Sequence, residues 1–473
     1  MISSLGSSGI DSLLQSYRYL EEKPIRALED QKKGIDKRIS LIADLKSKLK
    51  KLESLAKDLS YTDSSSIFGT KAISLSDESY FTATVTSSAI VTPHEITVQQ
   101  LAKADKIVSN QYTLSDTNLA TTLGAGTYTF EVTVNGNTVP VSVDIAADDD
   151  NETILNNIIS AINSTSDIGI RASLVKDSET TGRLVFTSEE TGADYEMSLS
   201  DTSGSLLSTL GMDDSTAMSG TSGGYVYDSS ELNAVVLIDG MTIQRNSNEI
   251  SDAISGVTLN LKKTHASGEA PVTLDVDYDQ DKIKSKIQEF IDAYNDVLDF
   301  IKKNTGVDSS THERSALSGD FTVTNMKLKL RTMFANPVTG LDSGNPTIFA
   351  DLGITTDRDG KLSISDSEKL DELLNGGIDK IASFFNSSDG IATRLTDFLD
   401  EYTDGEGVLE KRKDVLQNQI NLLNGRIERM EKSVDRKMDY YREQFSQLQA
   451  AYSMYSSQSA YIGTMMQSGF IYY

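Results

Sequence analysis

The residues that most often do chemistry are sparse in this 473-residue chain. Its three histidines, His94, His265 and His312, stand far apart, and no HExxH motif or His-x-His pair occurs. There is no cysteine, which excludes disulfides, thiolate metal sites and thiol nucleophiles. Neither a phosphate-binding GxxxxGK loop nor a GxSxG elbow is present. Asp148-Asp149-Asp150 could bind Ca²⁺, but acidic residues just before a helical pattern also serve as its cap and dipole partners. Asp357-Arg-Asp-Gly360 opens like a calcium loop but lacks the glycine such a loop needs at its sixth position, so it reads as a turn. We therefore expect no catalytic residues, no metal and no cofactor, and no enzymatic activity.

The pattern that demands a partner is apolar. Between about Val408 and Ile462, Leu416, Ile420, Leu423, Ile427, Met430, Val434, Met438, Tyr441, Phe445, Leu448, Tyr452 and Tyr455 recur in alternating fours and threes, with one doubled four. Such alternation is the seam of a coiled coil, and the doubled four is a stutter that locally unwinds it. Arg426, Glu428, Arg429, Glu431, Lys432 and Asp435 fill the opposite face. Burying each large apolar side chain is worth roughly 1.5–3 kcal/mol, so the stripe needs a second helix. One lies at the other end of the chain, where Ile25, Leu28, Ile35, Ile39, Ile42, Leu45, Leu49, Leu52 and Leu59 repeat the seam, with Lys32 at one apolar position. Ahead of it, Gly6-Ser-Ser-Gly9 leads into Ile10, Leu13, Leu14, Tyr17 and Leu20, an amphipathic helix that Asp11 could help cap. Pro24 should mark a helix start or a kink. The expected contact residues are Ile10, Leu13, Leu14, Ile35, Ile39, Ile42 and Leu49 on the first side. On the second they are Leu416, Ile420, Leu423, Ile427, Met430, Val434, Tyr441, Phe445 and Leu448.

Between the two helices the periodicity falls to two. Phe81–Thr86 and Glu95–Val98 alternate as half-buried strands. Tyr128–Val134 and Val139–Ile145 form a hairpin through Asn135-Gly136. A short helix follows around Ile154–Ile162, then strands at 170–175 and 183–187. Residues 204–224, rich in Ser, Gly and Thr, read as loop. Strands resume at 234–238, 241–244, 257–261 and 272–276. Helical spacing returns from Lys282, with further helices at 322–334, 367–376, 378–385 and 391–401 and a small hairpin at 355–364 turning at Asp359-Gly360. The fold class expected is α+β and multidomain: terminal helices paired as coiled-coil or helical-bundle legs, with β-rich head domains inserted between them.

Composition agrees. A chain this long splits into several cores. No apolar run approaches ~18 residues, so no transmembrane segment is expected. Met1–Leu14 lacks a basic n-region and a long apolar stretch, so a secretory signal peptide is not expected either. The net charge is −26, and residues 110–230 hold 18 Asp+Glu against 3 Lys+Arg, which disfavours nucleic acid as a partner of the head. The missing cysteines suit a chain that passes unfolded between redox compartments, or reflect compositional drift alone.

The order helix, β insertion, helix resembles the flagellar filament cap family, hook-associated protein 2. Leu5-Gly-Ser-Ser-Gly-Ile-Asp11 is similar to the family's opening. Ile238-Asp-Gly-Met-Thr-Ile-Gln-Arg-Asn-Ser-Asn248, running on to Leu259, is similar to its most recognisable segment. Phe290–Asn295, Leu352–Ile354 with Asp359–Leu362, and Tyr441–Leu448 also fit, and Ala161–Ser188 resembles a repeat of flagellin variable regions. The resemblance implies a secreted protein at the distal tip of the bacterial flagellum. It would form a homo-oligomeric ring, a pentamer by family habit, that retains exported flagellin and promotes its folding into the filament. The implied partners are further copies of itself, flagellin, the hook–filament junction protein, the type III export apparatus and an export chaperone. It also divides the chain: 1–45 pairing with 430–473 as terminal segments, 46–70 and 282–429 as leg bundle, 71–110 and 225–281 as inner head, and 111–224 as outer head. A second reading is an extracellular adhesin whose β head binds host mucin, and the two can coexist.

Overall fold

The computed structural model describes residues 7–212, 214–307 and 312–469, and side chains from Asp11 to Met466 within those spans. Helices α1 (Ser7–Glu21) and α2 (Lys23–Ser60) open the chain. They join through Glu22, itself helical, and Pro24 falls in the first turn of α2, where its missing N–H costs least. Asp11 lies inside α1 rather than at its cap, so the expected capping role is not taken up.

The β-rich unit, Gly69–Asp279, follows. Its elements in order are β1 (Lys71–Leu75), β2 (Phe81–Val85), β3 (Pro93–Gln100), β4 (Ala104–Val108), β5 (Tyr112–Thr113), α3 (Asn118–Leu123), β6 (Gly126–Val134), β7 (Asn137–Ile145) and α4 (Asn151–Ser164). Then come β8 (Ile170–Lys176), β9 (Thr181–Thr191), β10 (Met197–Ser203), α5 (Leu206–Leu210), β11 (Gly224–Tyr225), β12 (Ala234–Ile238), β13 (Met241–Arg245), β14 (Glu249–Ile254), β15 (Val257–Leu261) and β16 (Val272–Tyr278). Two cores share this unit. In the first, the sheet β1-β16-β3-β12-β13 faces the sheet β14-β15-β2 over Phe81, Ile96, Val236, Leu259 and Leu274. In the second, β10-β6-β7 and β11-β4-β9-β5, with β8 on β9, enclose Phe130, Val132, Ile154, Ile158, Phe186 and Leu210. The expected hairpin is β6–β7: Asn135 and Gly136 both take positive φ, 48° and 76°, as its turn requires. The 204–224 stretch is not all loop. Leu206, Leu207 and Leu210 drive a short buried helix, and Gly224–Tyr225 adds an edge strand to β4.

The chain then returns to helix: α6 (Gln280–Thr305), α7 (Phe321–Ala335), the hairpin β17 (Ile354–Thr356) and β18 (Leu362–Ile364), α8 (Ser367–Gly376), α9 (Ile378–Asn386), α10 (Ile391–Thr403) and α11 (Val408–Gly469). With α1 and α2 these form one helical unit, Met1–Phe68 and Gln280–Tyr473. Its core is aromatic: Phe334 stacks on Tyr294 at 4.2 Å, and Phe290, Phe349, Phe384 and Phe385 pack around them.

Candidate assembly interface

Helix α11 runs antiparallel to α2 and α1. Near its start, Lys46 on α2 meets Glu410 at 2.9 Å; further along, Glu21 and Arg18 meet Lys437 and Asp435 at 2.7 and 3.0 Å. The apolar spacing of both strands of the pair makes this possible. Ile35, Ile42 and Leu49 are buried on α2, and Leu416 and Ile420 on α11, while Ile39, Leu423, Ile427 and Met430 are half-buried. Ile25 packs with Val434 and Met438, with Tyr441 partly buried beside them. The doubled four of the seam, Met430–Val434–Met438, therefore stands opposite the α1–α2 junction at Pro24. The change of spacing on one helix faces, on the other, a junction where Pro24 lacks an N–H, although Glu22 and Arg26 still donate to the Arg18 and Glu22 carbonyls and keep the backbone helical.

Beyond that level the pairing thins. Leu14 is buried, and Tyr17 lies 5.3 Å from Tyr441 and 6.5 Å from Phe445 between ring centres. Phe445 is half-buried, whereas Leu13 and Leu448 are exposed. Ile10 sits in α1, and its side chain lies outside the described ones. So α1 orders on its own chain through one edge and presents its other edge, with Tyr19 and Leu20, to solvent.

Charges lock the inner part of the pair. Glu410 sits between Lys413 at 2.6 Å and Lys46 at 2.9 Å, and these two ammonium groups hold its carboxyl down at about 2. Asp320, buried at the N-cap of α7, accepts from the N–H groups of Thr322 and Val323 and takes the Arg412 guanidinium of α11 at 2.9 Å. Spacing alone could not have found this pair, because its two members lie 92 positions apart and on different helices.

The acidic motifs resolve into local structure. Asp150 caps α4 by accepting from the Thr153 N–H at 2.8 Å, and its carboxyl is held low by the hydrogen bonds from Thr153. Asp357 accepts from the N–H groups of Asp359 and Lys361, which closes the β17–β18 turn, and Asp359 pairs with Lys302 at 2.8 Å. His94 Nδ1 lies 2.7 Å from an Asp239 carboxylate oxygen, and His265 stacks on Tyr80. Among the described residues no group of three or more His, Cys, Asp or Glu could hold a metal ion, and no helix is long and apolar enough to cross a membrane.

The 238–259 segment has a definite place. Asn248 exchanges two hydrogen bonds with the backbone of Ala102. Asn246 lies against Gly192, where an added Cβ would come within 2.3 Å of the Asn246 side chain. Gly192, with φ of 103°, is thus required twice over: by its backbone angle and by close approach. The segment joins the two cores of the β-rich unit.

Comparison with known proteins places this architecture. Residues 8–105 match the flagellar hook-associated protein 2 N-terminus and residues 232–457 its C-terminus. The B-type flagellar hook-associated protein 2 of Pseudomonas aeruginosa is 30% identical over 376 residues, covering 77% of this chain and 76% of that protein. The flagellar hook-associated protein 2 of Escherichia coli K12 is 29% identical over 476 residues, covering 98% and 97%. The crystal structure of the D1-D2-D3 domains of the flagellar cap protein FliD from Escherichia coli superposes with a TM-score of 0.58 at 26% identity, covering 80% of this chain and 99% of that one. With both family segments in order on either side of the acidic β insertion, the chain belongs to the flagellar hook-associated protein 2 family.

Proposed function

We propose that the chain caps the distal tip of the flagellar filament. Copies form a ring, the β-rich units make its plate, and the helical units act as legs that reach towards the filament. The ring retains exported flagellin and promotes its folding and addition beneath the cap. The observation that carries this reading is the helical unit: helices α1 and α2 run antiparallel to α11, closed by ion pairs and a buried seam over one stretch, while the outer stretch of α11 is left apolar and exposed. A leg built this way is firm where it joins its own subunit and open where it meets a neighbour. Family membership supports the same reading, and no comparison speaks for the adhesin alternative.

On this reading the protein is secreted through the type III export apparatus, with a chaperone covering its apolar end beforehand. It then works next to flagellin and, before the filament grows, next to the hook–filament junction protein. A chain without disulfides threads an export channel with no cross-link to reduce. Electron microscopy of the purified protein tests the assembly directly. Closed rings, five-fold by the family's habit, are expected; a monodisperse monomer at micromolar concentration would overturn the proposal.

A further inference from the structure

Helices α2 and α11 are held from outside the pair at two separate levels. On the inner side α2 belongs to a bundle: Lys48 meets Asp296 of α6 at 2.6 Å, Glu53 accepts from the Thr403 hydroxyl of α10, and Arg38 donates to the Ala316 carbonyl at 2.9 Å. On the outer side α1 joins as a third helix, through Arg18 with Asp435, Glu21 with Lys437 and Tyr17 with Tyr441. Between these levels, over 26–34 of α2 and 421–433 of α11, no residue is fully buried, and the seam residues Leu28, Lys32, Leu423, Ile427 and Met430 are half-buried. Buried positions resume inwards at Ile35 and Ile420, and outwards at Ile25 and Val434. Lys32 sets a charge in the seam, which weakens a coiled coil. Among the described residues the ion pairs of this stretch, Asp30–Lys33 and Glu428–Lys432, each lie along one helix and tie nothing across.

Both helices run unbroken through this neck, and each carries a glycine in it, Gly34 and Gly425. Counting along the helices from the Glu21–Lys437 and Lys46–Glu410 pairs sets Gly34 level with Leu423, about half a turn from Gly425. A Cβ added at Gly34 would meet nothing within 4 Å, and one at Gly425 would meet the tip of Arg429 at 3.5 Å, an ordinary contact. Neither glycine has a positive φ. Neither packing nor backbone angle therefore calls for glycine at these two places. What glycine brings is a helix that is weaker than alanine's and easier to bend. We propose that the helical unit bends at this neck, with α1, Ile25 and residues 434–469 swinging as one body against the inner bundle about Gly34 and Gly425. A bend there separates no fully buried side chain, whereas one two turns further in would open the packing of Ile42 and Leu416. The bending point belongs to the helical unit by itself, whatever the copies of the chain assemble into.

The absence of cysteine makes the test clean. Spin labels are attached to Gln419→Cys and Gln444→Cys in the full-length protein, diluted tenfold with unlabelled parent so that distances within one chain dominate. Both sites are exposed, and they lie on opposite sides of the neck and on the same face of α11, about 37 Å apart along a straight helix. Double electron–electron resonance then gives the spread of distances. A broad distribution is expected, narrowing at least two-fold when Gly34→Ala and Gly425→Ala are added together. Gly463→Ala removes a glycine of α11 outside the neck, where an added Cβ also meets nothing within 4 Å, and should leave the spread unchanged. A narrow distribution in the parent, a spread that the paired alanines do not reduce, or equal narrowing by Gly463→Ala overturns the proposal. Rings are scored separately by electron microscopy, so a rigid neck with rings sinks this inference alone, and a bending neck without rings sinks only the cap reading.

Discussion

Asn295 on α6 and Leu362 on β18 exchange two hydrogen bonds. The Asn295 side-chain amide donates to the Leu362 carbonyl at 2.7 Å, and its Oδ1 accepts the Leu362 N–H at 2.9 Å. The carboxamide thus takes the place of a peptide group in a neighbouring strand and satisfies both backbone groups of an edge residue. The same exchange ties Asn248 to Ala102 and Asn163 to Ala172. Next to it, the buried Tyr294 hydroxyl donates to the Gly360 carbonyl at 3.0 Å, and burial pushes that phenol above its usual range.

Asn295→Asp should therefore destabilise the helical unit by about 1–3 kcal/mol, since it removes the donor and turns a carboxylate towards a carbonyl. Asn248→Asp should act likewise in the β-rich unit. Urea titrations read by circular dichroism give the answer, and unchanged midpoints for both variants would dismiss the peptide-mimic account.

The seam predicts a graded response. Leu416 is buried to 1% exposure, so Leu416→Ala should cost roughly 2–5 kcal/mol. Leu423→Asp and Ile427→Asp, at half-buried positions, should weaken the helix pair clearly, because a charge there loses apolar contact and must be desolvated. Glu428→Ala, which removes an exposed pair with Lys432, should leave the melting temperature unchanged within error. Equal melting temperatures across the four variants would refute the register.

Glu410 supplies a pH dependence. Its folded carboxyl is held at about 2, below its ordinary 4.5, by Lys413 and Lys46. The stabilisation is then fully present above pH 4.5 and is lost as pH falls from there towards 2. Glu410→Gln should flatten that part of the acid-unfolding curve while changing little of its shape above pH 5. A variant with the parent's acid limb would show that the α2–α11 contact does not depend on this ion pair.

We expect residues 69–279 to fold without the helical unit, since both cores and all their sheets lie within those bounds. A cut at Ser74 would be too late. It would remove Lys71, Ala72 and Ile73 from β1, which pairs with β16 along the sheet edge. Amide dispersion in an NMR spectrum of the isolated segment measures this, and a collapsed or unfolded spectrum would mean that the helical unit is needed to hold it together.

These tests also mark how far the sequence could be read. Long repeats are legible because burial imposes one period over many residues. Thus α11, α2, α6 and the Asn135-Gly136 hairpin stand where their patterns put them. Short or polar elements are not. Strand β10 runs Met-Ser-Leu-Ser-Asp-Thr-Ser with Met197 as its one fully buried side chain, and pairing with β6 holds it in place. Helix α5 spans five residues, too few to display a helical period. At the candidate interface the seam positions were legible, but their cover was not. Spacing alone cannot tell that Leu14 is buried while Leu13, Leu448 and Tyr455 are open. That depends on where α1 runs out against α11. The Arg412–Asp320 pair and the asparagine–backbone exchanges join residues distant in sequence, so only the folded chain reveals them.

Capping itself is tested most directly by the flagellin that a cell loses. The strain lacking this chain is complemented with the full-length protein or with a version missing residues 1–22, and flagellin in the medium is measured alongside filament length. The account predicts leaked flagellin and short or absent filaments without the chain, restoration by the full-length protein, and continued leakage with the truncated one, whose seam is stripped of Leu14 and Tyr17. Filaments of normal length and no leaked flagellin in the strain lacking the chain would contradict it.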